Sequence, residues 1–252
     1  MRINYKVFNL LSYKGLAKLS LLVFMLLLSI SCLFSTQLLS IYDIQFTTDA
    51  GFDGTYPSQF INQQVIIQGV VTAVGFEGNR YFVSEPQGGA WSAICVDDNS
   101  RKVRVGDFIE LQGKVSEIMG MTMITNVQNF RTLLRNTPLP EPVNLNVNEA
   151  LTSEAYEAVL VRLNNIECKS GLNGNYLAQI GDSSSNIFLG NGFRSDFSDI
   201  TFTTGESYSF VIGIIDFSFN RFTLHPRHRG DINVNRTVIQ SSSWGKIKSL
   251  YR

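Results

Sequence analysis

The sequence predicts an all-β protein built from two similar halves, each made of short strands. Two observations predict this fold class. From Val65 onward, short runs of β-branched and aromatic residues alternate with turns rich in Gly, Asn, Asp and Ser, the pattern of a small antiparallel barrel or sandwich. The same order of runs then recurs in the second half, and residues 65–134 and 158–233 each hold six basic and seven acidic side chains.

Each half contains five predicted strands. Those of the first half are at 65–74, 80–84, 92–96, 108–115 and 121–127. Their counterparts are at 158–163, 175–179, 185–189, the apolar run around Gly213, and 222–224. A Gly-Asp or Gly-Glu turn precedes each fourth strand, which holds an internal glycine where a barrel must bend. The sequence therefore predicts two tandem five-stranded OB-type barrels, at 41–136 and 158–233.

The segments outside the barrels have distinct compositions. Residues 137–157 contain three prolines, at 138, 140 and 142, which favour an extended connector, and continue into a stretch at 148–156 that has a helical pattern. Residues 234–252 form a tail with four basic and no acidic side chains. Its apolar residues, among them Trp244 and Ile247, have a spacing that would align on a helix, so the tail is either a docking or sorting element or a frayed terminus.

Residues 1–35 predict export. A basic stretch ends at Lys18, an apolar run follows at 19–28, and small residues precede Cys32, as in a signal peptide. Cleavage before Cys32 would suggest a lipoprotein, although Ser29 stands where such signals prefer an aliphatic residue. An uncleaved membrane anchor is the third alternative, because no charge occurs between Lys18 and Asp43. We expect a secreted or cell-envelope protein.

Charge and cysteine usage restrict the partners. The first 20 residues hold four of the 21 basic side chains, which leaves 17 against 21 acids, a formal charge of −4 for the remainder. A mildly acidic body excludes a polybasic, histone-like mode of nucleic-acid binding. Cys95 and Cys168 lie in strand-like apolar runs, where they are either two buried thiols or one disulfide of an exported protein.

Several motifs together resemble a known family of domains. They are Ile44-Gln45-Phe46, residues 53–57, Val65 to Val74 with its internal Gly69, Gly88 to Asp97 with its Gly-Ala-Trp, Val105-Gly-Asp107 with Gly113, Leu160 to Leu163, and Leu224 to Arg227 with Asp231-Ile232. This set is similar to bacterial exported OB-fold domains that occur beside extracellular nucleases and in surface proteins. The resemblance covers residues 41–233. It implies an accessory module, and no nuclease activity, since little of the chain lies outside the two barrels.

Candidate ligand-binding residues fall into two groups, one in each barrel. The first group is Tyr81, Trp91, Arg101, Lys102 and Arg104, and the second is Tyr176, Arg221, His225, Arg227, His228 and Arg229. The first lies on or beside the second and third strands, where OB folds stack bases or sugars on aromatic rings. The second is a cationic cluster suited to an anion such as phosphate.

Each group also has a purely structural explanation. Trp91 would be a packing lid, and the basic residues after Asp98 would form a solvated loop. Tyr81 and Phe82 alternate, so at least one of them is expected in the core. Arg227 would pair with Asp231 or with nearby carbonyls after Pro226 ends the last strand.

No motif indicates catalysis, a metal or a cofactor. Gly-x-Ser-x-Gly, a phosphate-binding Gly-Lys-Ser/Thr and an acidic calcium loop are all absent from the sequence. The first hypothesis is therefore an exported, non-catalytic binding module for single-stranded nucleic acid or an oligosaccharide. The second is a cell-surface structural or adaptor protein that binds a protein partner, and a hydrolase is the least supported.

Overall fold

The computed structural model describes residues 37–235, except 53, 172–175 and 219. The predicted N-terminal export segment with Cys32, and the tail from residue 236 onward, lie outside these residues. No helix in the described part of the chain is long and apolar enough to cross a membrane.

The described residues contain thirteen strands, two short α-helices and two turns of 3-10 helix. The first half contains β1 (Gln37–Leu38), β2 (Gln64–Phe76), β3 (Arg80–Ser84), β4 (Ala93–Asp97), β5 (Phe108–Ile118) and β6 (Met121–Leu134). The second contains β7 (Val143–Leu145), β8 (Leu160–Gly171), β9 (Tyr176–Gly181), β10 (Asn186–Gly190), β11 (Ser207–Ser218), β12 (Arg221–His225) and β13 (Ile232–Val234).

Five strands of each half close into a barrel with the same order. In the first, β2 pairs with β3, β3 with β4, β4 with β6, β6 with β5, and β5 returns to β2. In the second, the cycle is β8, β9, β10, β12, β11 and back to β8. Within these two cycles, every strand pair is antiparallel except β4–β6 and β10–β12. The prediction of two tandem five-stranded OB-type barrels is confirmed.

The predicted glycines of the fourth strands lie where two strands approach closely. A Cβ at Gly113 would stand 2.3 Å from Cγ2 of Ile124, and one at Gly213 would stand 2.7 Å from the carbonyl oxygen of His225. Both distances are shorter than any side chain allows. The glycines are therefore required by the packing of β5 on β6 and of β11 on β12.

The two helices cover the barrels. Helix α1 (Ile41–Gln45), which the sequence did not predict, starts at Ser40, whose hydroxyl accepts from the Asp43 amide, and buries Ile41 and Ile44 in the first core. Helix α2 (Val147–Thr152) lies in the stretch predicted to be helical. It is closed by a capping box in which Asn146 and Glu149 each accept from the other's backbone amide.

The two barrels are joined by a continuous apolar core. The inward-facing residues of the first barrel, such as Ile67, Ile94 and Leu111, form its own cluster. Its outward-facing Phe82 and Cys95 instead pack in one cluster with the second barrel and are fully buried. Cys95 and Cys168 are both buried free thiols, so the alternative of a single disulfide is wrong.

Hydrogen bonds reinforce this junction. The Glu77 amide donates to the Gly192 carbonyl at 2.8 Å, and an Arg227 guanidinium nitrogen donates to the Thr72 carbonyl at 3.1 Å. The Trp91 amide likewise donates to a carbonyl of the connector. Both barrels belong to one compact unit.

Candidate ligand-binding cleft

The second barrel carries a stacked group of side chains from three strands. The guanidinium carbon of Arg221 lies 4.8 Å from the ring centroid of Tyr176 and 4.4 Å from that of Phe188, and the two ring centroids are 5.2 Å apart. Arg221 also donates to the Tyr176 hydroxyl at 2.5 Å. These contacts hold the Tyr176 ring in one orientation beside a cleft.

The cleft lies between this face and the β2–β3 turn of the first barrel. It has a volume of about 210 Å³. Its lining is polar apart from one ring and one glycine: Glu77, Tyr176, Asn191, Gly192, Arg194, Asp216, Ser218, Thr223 and His225. Amides, hydroxyls, a guanidinium and carboxylates thus converge beside an aromatic ring, which is the composition of a site for a small polar ligand.

His225 is neutral in this cleft. Its Nδ1 accepts from the Gly192 amide at 3.0 Å, which leaves the proton on Nε2, 3.9 Å from Oδ2 of Asp216. Burial lowers the His225 pKa to about 3 because the charged ring would lose its solvation. An imidazole with so low a pKa is a weak general base, so its role is to fix the loop at Gly192.

Asp216 changes charge within the physiological range. Burial raises its pKa to about 6, although the hydrogen bond from Ser218 at 2.8 Å acts in the opposite direction. Glu77 on the opposite wall adds to the rise, since a like charge disfavours ionisation. Asp216 therefore adds a negative charge to the cleft above about pH 6.

Only part of the predicted cationic cluster reaches the cleft. Arg227 is engaged elsewhere, because its backbone amide, Nε and Nη2 all donate to the buried Asp231 carboxylate at 2.8–3.0 Å. Arg229 bonds Asp199 and the Ile232 carbonyl. Arg227 pairs with Asp231, as its structural explanation predicted, and Arg229 is engaged away from the cleft. His225 lines the cleft, and Arg221 packs on the Tyr176 ring beside it.

His228 is also outside the cleft. Its ring nitrogen Nδ1 accepts from the Gly230 amide at 3.2 Å, and its side chain is 64% exposed. The role of this residue is to cap a turn of 3-10 helix at Arg229–Asp231.

In the first barrel, Tyr81 is not available for stacking. Its ring points into the barrel interior and the residue is 2% exposed. Phe82, on the opposite face, is covered by the second barrel. The usual ligand face of this barrel is therefore closed at these strands, and both members of the alternating pair are core residues.

Two of the three basic residues of the first barrel, Arg101 and Lys102, line one depression, and Arg104 does not line it. Arg101 bonds the Val127 carbonyl at 3.4 Å and lies 3.8 Å from Asp98. Lys102 and Arg104 are exposed on the loop before β5, in keeping with the solvated-loop alternative.

Trp91 lies on an aromatic strip that sequence reasoning missed. Its ring meets Phe46 edge-on at 5.7 Å between centroids, and Phe46 stacks on Tyr42 at 5.3 Å. Tyr42 and Phe46 are 42% and 40% exposed. The sequence signal for this strip is the spacing of Tyr42 and Phe46, which are four residues apart and follow Ser40, a residue type that caps helices.

The described residues contain no group of three or more His, Cys, Asp or Glu side chains placed to hold a metal ion. The cleft residues Glu77, Asn191, Arg194 and Asp216 were not among the predicted site residues. They come from turns and strands far apart in sequence, and no local motif marks them.

Comparisons with known proteins add little. No protein-family model and no curated protein match the chain. Among solved structures, it is similar to the HINb domain of p204, at 12% identity over 66% of this chain and 95% of that one, with a TM-score of 0.31. A structure described as "Structural mimicry for functional antagonism" matches at 15% identity over 66% and 89%, with a TM-score of 0.33. Because these TM-scores are low, the assignment of tandem OB-type barrels rests on the strand order of the chain itself.

Proposed function

We propose that this chain is an exported, non-catalytic binding module that holds a neutral oligosaccharide in the cleft of its second barrel. The observation that carries the proposal is the cleft itself. It is a polar cavity of about 210 Å³ on the β9, β10 and β12 face, with a fixed tyrosine ring at its side. OB folds bind oligonucleotides and oligosaccharides on the corresponding face.

The charges of the cleft favour a sugar over single-stranded nucleic acid. Glu77 and Asp216 would repel a phosphate. The Arg221 guanidinium packs on the Tyr176 and Phe188 rings, and Arg227 is bound by Asp231. Arg194, which is exposed at the rim, is the cation that remains to meet a ligand. Carboxylates, an amide and hydroxyls can instead accept from or donate to sugar hydroxyls, while the Tyr176 ring packs on a sugar face.

A binding role without catalysis is supported by the state of His225. Its Nδ1 is occupied by the Gly192 amide, and its pKa lies near 3. It therefore does not serve as a base near neutral pH.

Export is proposed from the N-terminal segment alone. The prediction is tested by fractionating cells that express the full chain and by measuring the mass and the first residue of the mature protein. An intact cytoplasmic chain would contradict export. Lipid attached to Cys32 would select the lipoprotein alternative.

Binding is tested by titrating the full chain with a panel of neutral oligosaccharides and with oligo-dT, at low and high salt. Arg194→Ala and Tyr176→Ala each remove one wall of the cleft, and Arg131→Ala on the first barrel is a control for the loss of an exposed arginine. We expect oligosaccharide binding that is insensitive to salt and is weakened in the two cleft variants only. Binding of oligo-dT that falls steeply with salt would contradict the choice of ligand.

The aromatic strip favours a second candidate function, that of a surface adaptor. Tyr42 and Phe46 expose their rings beside the half-buried Trp91, as at the centre of many protein interfaces. Under this alternative, a Tyr42→Ser/Phe46→Ser double variant loses capture of a surface protein in cross-linking experiments on intact cells. The cleft variants keep it.

A further inference from the structure

The mouth of the first barrel contains a second depression, separate from the cleft. Its volume is about 370 Å³. The wall consists of the β2–β3 turn and the loop after β4, with Gly75, Gly78, Asn79, Asn99 and Lys102 among its residues. The mouths of β-barrels are common places for small-molecule sites, because the interior side chains end there.

At the base of this depression lies a buried hydroxyl group. Tyr81 lines the depression, and the residue is 2% exposed. Its hydroxyl has no hydrogen-bond partner within the described residues. Asp98 and Arg101 line the same depression as Tyr81, and burial raises the Tyr81 pKa. Buried tyrosine hydroxyls are nearly always hydrogen-bonded, since an unpaired one loses its hydration without compensation.

Asp98 contributes a second unpaired atom. Its Oδ1 accepts from the amide and the hydroxyl of Ser100 at 2.9 and 2.6 Å. Its Oδ2 is buried and has no partner within the part of the chain described, while the side chain is only 6% exposed. A free carboxylate oxygen requires a donor, and a phenol hydroxyl can supply or accept one hydrogen bond.

We propose that the mouth of the first barrel binds a hydroxyl-bearing neutral ligand, a sugar ring or polyol. Its hydroxyls donate to Oδ2 of Asp98 and accept from the hydroxyl of Tyr81. The Asn79 and Asn99 amides at the rim can bond the remaining ligand hydroxyls. Arg80, Arg101 and Lys102 also line the depression, so inorganic phosphate is the competing ligand that the test must exclude. This site does not depend on the cleft of the second barrel.

The test uses the full chain and a panel of glucose, galactose, mannose and N-acetylglucosamine, with inorganic phosphate as a separate arm. Binding is followed by calorimetry and by the ligand-induced rise in melting temperature. Tyr81→Phe removes only the hydroxyl, and Asp98→Asn removes the charge while keeping one acceptor. Arg131→Ala, at an exposed arginine of the same barrel, is the matched control, and Arg194→Ala separates binding at the mouth from binding in the cleft of the second barrel.

We expect at least one sugar to bind the wild-type chain and Tyr81→Phe to weaken that binding by about tenfold. Arg131→Ala should bind as the wild-type chain does, and Arg194→Ala should retain binding at the mouth. Without ligand, Tyr81→Phe should melt no lower than wild type, since the lost hydroxyl bonds no group among the described residues.

Three outcomes would overturn the proposal. The first is that none of the sugars binds the wild-type chain; a lower melting temperature of Tyr81→Phe would then mean that the hydroxyl has a structural role. The second is that phosphate binds and is lost in Lys102→Met, which would make this an anion site. The third is that Arg194→Ala loses all sugar binding, which would place the sugar in the cleft of the second barrel. Sugar binding that is unchanged in Arg194→Ala and weakened in Tyr81→Phe would contradict only the proposed function.

Discussion

Replacing Glu154 by glutamine should stabilise the protein at neutral and alkaline pH. Glu154 lies in the turn of 3-10 helix after α2, next to the junction with the first barrel. Burial raises its pKa from 4.5 to about 8, and the Glu117 carboxylate adds to the rise. Nearby, the wholly buried Glu157 accepts from the Thr122 amide at 3.0 Å, and burial and the charge of Glu154 raise its pKa as well.

The sign of the effect follows from these shifts. A carboxyl group whose pKa is higher in the folded state binds its proton more tightly there, so stability is greatest at low pH. It declines as the pH rises from about 4.5, where the unfolded chain begins to ionise, to about 8. One pKa unit corresponds to about 1.4 kcal/mol, so complete ionisation of Glu154 costs at most about 5 kcal/mol. Partial contact with solvent reduces this, and we expect a gain of about 1–3 kcal/mol for Glu154→Gln at pH 8.

The assay is urea denaturation of wild type and Glu154→Gln at pH 5, 6.5 and 8. The two free energies of unfolding should be similar at pH 5 and diverge towards pH 8. Glu141→Gln is the matched control, because Glu141 is exposed in the same connector. Two results would contradict a raised Glu154 pKa. One is a Glu154→Gln variant less stable than wild type at pH 8, and the other is a variant whose stability falls with pH as steeply as that of wild type.

Three further predictions concern the junction and the core. Phe76→Ala removes a ring that packs on Phe193 and on His225, with centroids 5.2 and 5.0 Å away, and should cost about 3–5 kcal/mol in urea unfolding. A loss below about 1 kcal/mol would mean that the barrels do not pack through this ring. Arg227→Ala leaves the Asp231 carboxylate buried without its ion pair and should also cost about 3–5 kcal/mol, with no specific loss of ligand binding in the folded fraction. Cys95 is fully buried and its pKa is raised by burial, so it should react with a thiol reagent only as the chain unfolds. Reaction of Cys95 at the rate of a free thiol would contradict this.

The fold was largely predictable because its signals are local. Strands of β-branched residues, glycines at close approaches such as Gly113, and a repeated turn before each fourth strand all depend on near neighbours in sequence. Helix α1 was missed because five residues are too few for a periodic pattern.

The site was less predictable because it depends on the packing of the two barrels. The contact of the β2–β3 turn with Gly192 brings Glu77 to the cleft, and no sequence pattern links these positions. Arg227, in contrast, was marked by the sequence but does not reach the cleft. Its residue type suits phosphate, but a partner four residues away, Asp231, already occupies its guanidinium. Burial of Tyr81 and Phe82 likewise follows from tertiary packing on both faces of one strand.

One calorimetric titration tests whether the cleft of the second barrel binds a neutral sugar. The wild-type chain and Arg194→Ala are each titrated with the oligosaccharide panel and with oligo-dT at two salt concentrations. We expect saturable oligosaccharide binding that is unchanged by salt and is strongly weakened in Arg194→Ala. Equal oligosaccharide binding by both proteins, or binding of oligo-dT alone, would contradict it.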